Sequence, residues 1–309
     1  MFGTPAFAVP TLEALLASSH TVAGVITQPD RPRGRGQLVS AGPVKALALE
    51  RGLQILQPER LKQDAFENDF AALDADLAVV AAYGKLLPAW LLAKPRLGFI
   101  NVHASLLPKY RGASPIHRAV MAGDAETGVT IMRVVQELDA GPMLAKRHLT
   151  IGPEDTTADV EPALAVLGAG LAIETIDRMA AGPVTETSQD DSQSSYAPRL
   201  TKLDGLLDWS RSARDLHNQV RGLTPWPLAY SFVKGTRLII RRSRPVNDSS
   251  LSDEPATITR LSDGGLGVVC GDRQLLEILQ LQPEGKRVMS GHDALAGRVL
   301  APRDRFDHP

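Results

Sequence analysis

The sequence predicts an α/β protein in which a mainly parallel sheet is followed by a small, separate β-barrel. Three observations point there: short apolar runs alternate with helix-like stretches up to about residue 185, one polar segment interrupts the pattern, and short strand-like runs punctuated by turns follow it. Val22-Ala23-Gly24-Val25-Ile26, Leu77-Ala78-Val79-Val80-Ala81 and Gly98-Phe99-Ile100-Asn101-Val102 read as buried strands. Residues 9–16 and 43–48 carry helical periodicity, with Pro10 and Pro43 placed near helix starts. That rhythm is the mark of βαβ units and assigns residues 1–184 to one α/β domain. Residues 185–203, polar and rich in Ser, Gln and Asp early on, hold few side chains able to join a core and read as a linker. The second domain is expected over 204–309. There residues 208–222 suggest one helix, and Arg237-Leu238-Ile239-Ile240, Ala256-Thr257-Ile258-Thr259 and Gly267-Val268-Val269-Cys270 suggest strands, with turns such as Asp263-Gly264-Gly265. Closing such strands into a barrel leaves no exposed edge.

Composition narrows the function. A chain of 309 residues, 43% hydrophobic and 22% charged, can bury an ordinary core and is long enough for two domains. No apolar run approaches the roughly 18 to 20 residues of a membrane span, and the first residues lack the basic and apolar regions of a signal peptide. A cytoplasmic protein with no membrane partner is expected, and a monomer. The single cysteine, Cys270, rules out an internal disulfide and a cysteine-rich metal site, and its strand-like surroundings predict a buried structural thiol. A net charge of -1 argues against a protein that coats nucleic acid, while allowing a local basic path. Arg237, Arg241, Arg242 and Arg244 lie on one segment that could face phosphate; a strand edge defended by charge is the alternative.

The most informative segment is Asn101-Val102-His103-Ala104-Ser105-Leu106-Leu107-Pro108. Side chains alternate along a strand, so Asn101, His103 and Ser105 project from one face where a parallel strand ends and ligands collect. An asparagine N–H can stabilise a developing oxyanion and an imidazole can exchange a proton near neutral pH, so the pair suits attack on a carbonyl. A polar strand edge that merely satisfies backbone groups fits the spacing equally well. Asp139, in the turn Glu137-Leu138-Asp139-Ala140-Gly141-Pro142, could orient or charge-balance the histidine; it could equally close an Asx turn. Ser114 and Pro115 mark a helix start, and His117 in its first turn reads as packing rather than chemistry. No zinc signature and no Gly-x-Ser-x-Gly elbow occurs, which predicts no metal and no acyl-enzyme; direct transfer between two bound substrates fits better. Asp30 to Gln37 is a basic, glycine-containing loop that fails the P-loop pattern and could close on a phosphate-bearing partner or simply be solvated.

Taken together these residues resemble the methionyl-tRNA formyltransferases, a family of folate-dependent formyltransferases, over nearly the whole chain. The resemblance runs through Phe2-Gly3-Thr4-Pro5, Thr27-Gln28-Pro29-Asp30-Arg31-Pro32, Ala82-Tyr83-Gly84, the segment from Ile100 to Pro108, and Arg111-Gly112-Ala113-Ser114-Pro115-Ile116. It continues in Gly123 to Thr130, Leu138-Asp139, Asp208-Trp209-Ser210 and Pro225-Trp226-Pro227. It implies a Rossmann-like N-terminal domain, an OB-like C-terminal barrel that helps hold tRNA, and Asn101, His103 and Asp139 as the catalytic set. It further implies folate beside Ser105, Leu106, Leu107, Pro108 and Tyr83, and tRNA beside Arg35 of the basic loop, Lys45, Arg241 and Arg242. The formyl donor would be 10-formyltetrahydrofolate, with initiator methionyl-tRNA as acceptor. A related enzyme acting on a nucleotide amino sugar, or a non-catalytic RNA-binding relative, are the competing readings. Three places depart from the family's pattern: the first strand is short, Thr224-Pro225-Trp226-Pro227-Leu228 stands where Asn-Pro-Trp-Pro-Gly is usual, and Pro162 falls in a helical stretch.

Overall fold

A computed structural model describes residues 1–33, 38–62, 64–246 and 253–307. They fall into two compact units: residues 1–115, 126–150 and 161–197 form the first, and 116–125, 151–160 and 198–309 the second.

In the first unit the apolar runs become a seven-stranded sheet, in the order Met143–Thr150, Glu126–Arg133, Phe99–His103, Ala78–Ala81, Phe2–Gly3, Val25–Ile26, Ile55–Leu56. The five strands from Phe99–His103 to Ile55–Leu56 are parallel, and the other two pair antiparallel. Parallel neighbours need crossovers, and the helices Val9–Ala17, Pro43–Glu50, Asp64–Ala71 and Ala89–Leu92 lie in them. The short strand Phe2–Gly3 holds a central place: Phe2 pairs with Ile26 on one side and Val80 on the other, and is 1% exposed. Its ring packs against Phe70, Tyr83 and Phe99 at 5.3 to 5.8 Å between centroids, so aromatic burial supports what two residues of hydrogen bonding alone would not. Strand order reverses between Phe2–Gly3 and Ala78–Ala81, opening a crevice at the carboxyl ends of the strands.

The polar stretch after residue 185 carries pairings of its own. Thr187 exchanges backbone bonds with Met143 at 2.8 and 2.9 Å, and Tyr196–Ala197 runs parallel to Arg111–Gly112. Its polar groups satisfy neighbouring loop backbone instead of filling a core, which is why composition alone conceals this order.

The second unit is a six-stranded antiparallel half-barrel. Ala229–Val233, Thr236–Val246, Leu275–Pro283, Leu266–Val269 and Ile258–Arg260 follow one another, with Met289–Ser290 also on Leu275–Pro283. The three sequence-predicted runs fall on these strands; Ala229–Val233 and Leu275–Pro283 complete the sheet. Its core gathers Trp209, Leu216, Ile240, Ile258, Leu276 and Phe306. Cys270 is fully buried, and burial pushes its thiol up to about 12.

The helix expected over 208–222 begins only at Ala213. Asp208 Oδ1 accepts from the Ser210 amide (3.0 Å) and hydroxyl (2.7 Å), closing a turn, and Ser212 Oγ then caps the helix by accepting from the Asp215 amide at 3.1 Å. Within that helix His217, Asn218, Gln219 and Arg221 are all buried. They are tolerated because each has a partner: His217 Nε2 meets the Pro153 carbonyl (3.2 Å), Gln219 donates to the Leu206 carbonyl (3.0 Å), and Arg221, which bonds Asn218 Oδ1 (2.9 Å), donates to the Asp155 carbonyl (2.9 Å). At the altered Pro-Trp-Pro motif Leu228 has φ +70, a left-handed conformation that glycine adopts without strain and that costs other residues about 1 kcal/mol or more. Pro162 is accommodated inside the helix Thr157–Ala181.

Candidate functional site

Asn101 and His103 leave the same face of Phe99–His103, the last parallel strand before the antiparallel pair. Register sets Asn101 between Val80 and Met132, and His103 beside Thr130. Asn101 is half-buried, whereas the His103 side chain is only 5% exposed.

Beyond the strand the chain bends sharply and is held by polar groups. Ser105 Oγ donates to the Lys109 carbonyl at 2.6 Å, and the buried Thr130 hydroxyl donates to the Ser105 carbonyl (2.7 Å) while accepting from the Leu107 amide (3.1 Å). The Lys146 ammonium donates to the Leu107 carbonyl, and burial holds its pKa below the usual lysine value. Ser105 and Leu107 are fully buried; Leu106 and Pro108 are half-buried.

His103 is oriented from both ring nitrogens. Nε2 lies 3.0 Å from the Tyr110 carbonyl, and because a carbonyl only accepts, Nε2 is the nitrogen that carries hydrogen. Nδ1 then faces Asp139 Oδ2 at 3.7 Å. That separation exceeds a direct hydrogen bond. Asp139 Oδ2 also accepts from the Gly112 amide at 2.8 Å. Gly112 has φ +117, and a Cβ there would stand 2.7 Å from the Ala197 carbonyl oxygen, so a glycine is what lets this amide reach the carboxylate. Asp139 itself has φ +49, a left-handed conformation that aspartate tolerates better than most residues.

Two residues absent from the sequence-predicted set join this arrangement. Gln189 Nε2 donates to the carbonyls of Asp139 (2.7 Å) and Gly141 (2.8 Å), while its Oε1 accepts from Arg111 Nε (3.0 Å) and Nη2 (2.8 Å). Arg111 Nη2 also reaches Asp191 Oδ1 at 2.7 Å. No sequence signal marks Gln189, because its partners, two main-chain carbonyls and the Arg111 guanidinium, lie 48 to 78 positions away.

The remaining candidates are placed as follows. The Tyr83 ring lies in the core at 2% exposure, where burial pushes the phenol up to about 12, and its carbonyl accepts from Gln28 Nε2 at 2.7 Å. Lys45 is paired with Asp30 at 2.5 Å. Arg35 lies outside the described residues. In the second unit, Arg241 donates to Gln282 Oε1 (3.0 Å), Arg244 pairs with Glu277 (2.5 Å), and Arg237 lies 4.0 Å over the Tyr230 ring. Arg242 projects into solvent. His117 is half-buried at the start of Pro115–Ala122, and burial together with Arg118 holds its pKa below the ordinary histidine value. Among the described residues, no helix is long and apolar enough to cross a membrane.

An asparagine and a histidine at the end of a parallel strand, backed by a carboxylate and followed by an antiparallel half-barrel, is the architecture of a formyl transferase. Residues 1–176 match the formyl transferase family and residues 199–299 its C-terminal domain. More narrowly, the chain belongs to the methionyl-tRNA formyltransferase family. It is 49% identical over 299 residues to the methionyl-tRNA formyltransferase of Methylococcus capsulatus, covering 97% of this chain and 96% of the relative. It is 42% identical over 295 residues to that of Bacillus subtilis, covering 96% and 93%. Among solved structures, the sugar 3N-formyl transferase WlaRD superposes with a TM-score of 0.66 over 92% of this chain and 97% of that one. An N-formyltransferase from Helicobacter canadensis gives 0.66 over 89% and 96%. Each of these two is 17% identical to this chain, so the likeness is one of fold.

Proposed function

We propose that this protein transfers the formyl group of 10-formyltetrahydrofolate to the α-amino group of methionyl-initiator tRNA, in the cytoplasm. What carries the reading is the Asn101, His103 and Asp139 arrangement in a chain 42% to 49% identical to methionyl-tRNA formyltransferases across nearly its full length. The donor lies against Leu106 and Pro108, beside the strand that presents Asn101.

The reaction breaks the bond between the formyl carbon and N10 of the donor and forms one between that carbon and the methionyl nitrogen. The amine gives up one proton and N10 gains one, so no oxidant or other reactant is required. Asn101 donates an N–H to the oxygen as it becomes an oxyanion; losing one such donor typically costs on the order of a hundred- to a thousand-fold in rate. His103, with Nε2 held by the Tyr110 carbonyl, turns Nδ1 toward Asp139 and the reacting groups. The Asp139 carboxylate, 3.7 Å from Nδ1, helps orient the ring and take the proton from the amine, directly or by way of a water. On the acceptor side, Arg242 is exposed, close enough to Asp159 to help lower that carboxylate's pKa, and can turn to phosphate, whereas Lys45 would first have to leave Asp30. Arg35 belongs to the same acceptor-binding set by family resemblance.

The test is transfer of labelled formyl from 10-formyltetrahydrofolate to charged initiator methionyl-tRNA, with uncharged tRNA and a nucleotide amino sugar as parallel acceptors. Label on the charged tRNA alone is the expected result. Label on the sugar instead would replace this reading with the activity named for the WlaRD neighbour.

A further inference from the structure

We infer that Gln189 is a positioning residue for the Asp139 carboxylate, acting on the site from a segment whose composition reads as a linker; the inference rests on the roles given above to Asp139 and His103. The turn carrying Asp139 has a left-handed residue at its centre and two nearby carbonyls, those of Asp139 and Gly141, that need donors. A primary amide offers two N–H groups on one nitrogen, and Gln189 spends both there, at 2.7 and 2.8 Å. The amide cannot turn over: a guanidinium only donates, so Arg111 fixes Oε1 on its own side and leaves Nε2 for the carbonyls.

Arg111 immediately precedes Gly112, whose amide donates to Asp139 Oδ2 at 2.8 Å. One glutamine therefore ties together the two backbone segments whose separation sets the 3.7 Å between Asp139 Oδ2 and His103 Nδ1. The same segment grips the first of these loops again. Ser195 Oγ accepts from the Tyr110 amide at 2.8 Å and the Ser195 carbonyl accepts from the Arg111 amide at 2.8 Å, and Tyr110 is the residue whose carbonyl holds His103 Nε2. Without the Gln189 amide the turn at Asp139 is free to rotate its carbonyls toward water, and the direction of its Cα–Cβ bond, which aims the carboxylate, goes with them.

Misplacement of a reacting group by an ångström can cost a hundredfold, and partial loosening costs less. Gln189→Ala is expected to lower kcat for formylation about tenfold, with KM for either substrate within about threefold of the wild type and the melting temperature little changed. Gln189→Glu keeps size and the Arg111 partner but turns an oxygen toward both carbonyls, and should fall at least as far; a purely structural link through Arg111 would leave it near wild type. Because Gln189 acts through Asp139, adding Gln189→Ala to Asp139→Ala should cost less than about twofold more. Additive losses in that double variant, or kcat within twofold of wild type in both single variants, would overturn the inference.

A readout that needs no substrate separates this from the proposed reaction. The crystal structure of Gln189→Ala should have Asp139 Oδ2 withdrawn from the Gly112 amide, and retention of that bond near 2.8 Å would overturn the inference whatever the enzyme formylates.

Discussion

Around Asp139 the chain is held by polar groups from three separate stretches: the Gly112 amide, the Gln189 amide and the His103 ring, with Arg111 fixing the glutamine. Around Trp209, in the half-barrel, it is held by apolar burial. The indole is 2% exposed and stacks on Phe306 at 4.7 Å between centroids, and its single polar atom is satisfied by Ser231 Oγ at 3.0 Å. The contrast teaches where energy resides. Hydrogen bonds traded against water add little net stability but fix direction, while buried area adds stability with little directional demand. Substitutions near Asp139 should therefore change rate without unfolding, and substitutions near Trp209 should do the reverse.

The largest expected effect tests the apolar side. Trp209→Ala empties an aromatic site and strands the Ser231 hydroxyl, and should destabilise the protein by about 3 to 5 kcal/mol. Urea unfolding followed by circular dichroism measures it, and a loss below about 1 kcal/mol would break the contrast. On the polar side, Asn101→Ala should lower kcat by roughly a hundred- to a thousand-fold while the melting temperature stays put. Near-normal turnover would remove Asn101 from the oxyanion role.

Two smaller effects sharpen the comparison from within the second unit. Arg242, exposed beside arginines already engaged by Gln282 and Glu277, should act only on the acceptor. Arg242→Ala is expected to raise KM for charged tRNA a few-fold and to reduce the salt dependence of binding by about 0.7 to 0.9 in log–log slope, with KM for the formyl donor untouched. An unchanged salt slope would mean that this side chain meets no phosphate.

His217 is one of the buried polar residues of the helix Ala213–Gly222. Burial, with Arg221 and Arg214 nearby, lowers its pKa from the ordinary 6.5, against opposition from the Pro153 carbonyl and Glu154. As pH falls through 6.5 the unfolded chain takes up this proton before the folded one does. Stability present near pH 7 should therefore decline as pH drops from there toward the depressed folded value. Comparing unfolding midpoints of wild type and His217→Gln between pH 7.5 and 5 isolates the contribution: the wild type should lose stability more steeply. Parallel profiles would mean that His217 does not titrate differently on folding.

Much of the fold could be read along the chain. Runs such as Leu77 to Ala81 and Gly98 to Val102 are apolar over strand length and become parallel strands of the first sheet. Asn101 and His103 were legible as a pair because two residues apart on a strand means the same face. Asp139 could be proposed from its turn, but its place 3.7 Å from His103 depends on a glycine at 112 and a glutamine at 189, which no local pattern connects to it. The arginine run looked uniform in sequence, and folding divided it: Arg237, Arg241 and Arg244 found partners across the sheet, while the exposed Arg242 has Asp159 near it instead. The helix over 208–222 shortened because Asp208 closed a turn with Ser210, a competition between side chain and backbone that hydrophobic periodicity does not register.

What the sequence determined by itself follows from rules of short reach. Side-chain alternation, helical period and the conformational limits of glycine and proline act over a few residues, and they are enough for the class of fold, its two-part organisation and the strand that carries Asn101 and His103. Tertiary structure alone decided which distant main-chain groups would meet: the Gly112 amide on Asp139, the Tyr110 carbonyl on His103, and the Gln189 amide beneath the turn. Any backbone carbonyl or amide can serve as such a partner whatever its side chain, so residue identity carries no mark of the pairing, and the geometry exists only once the loops are closed.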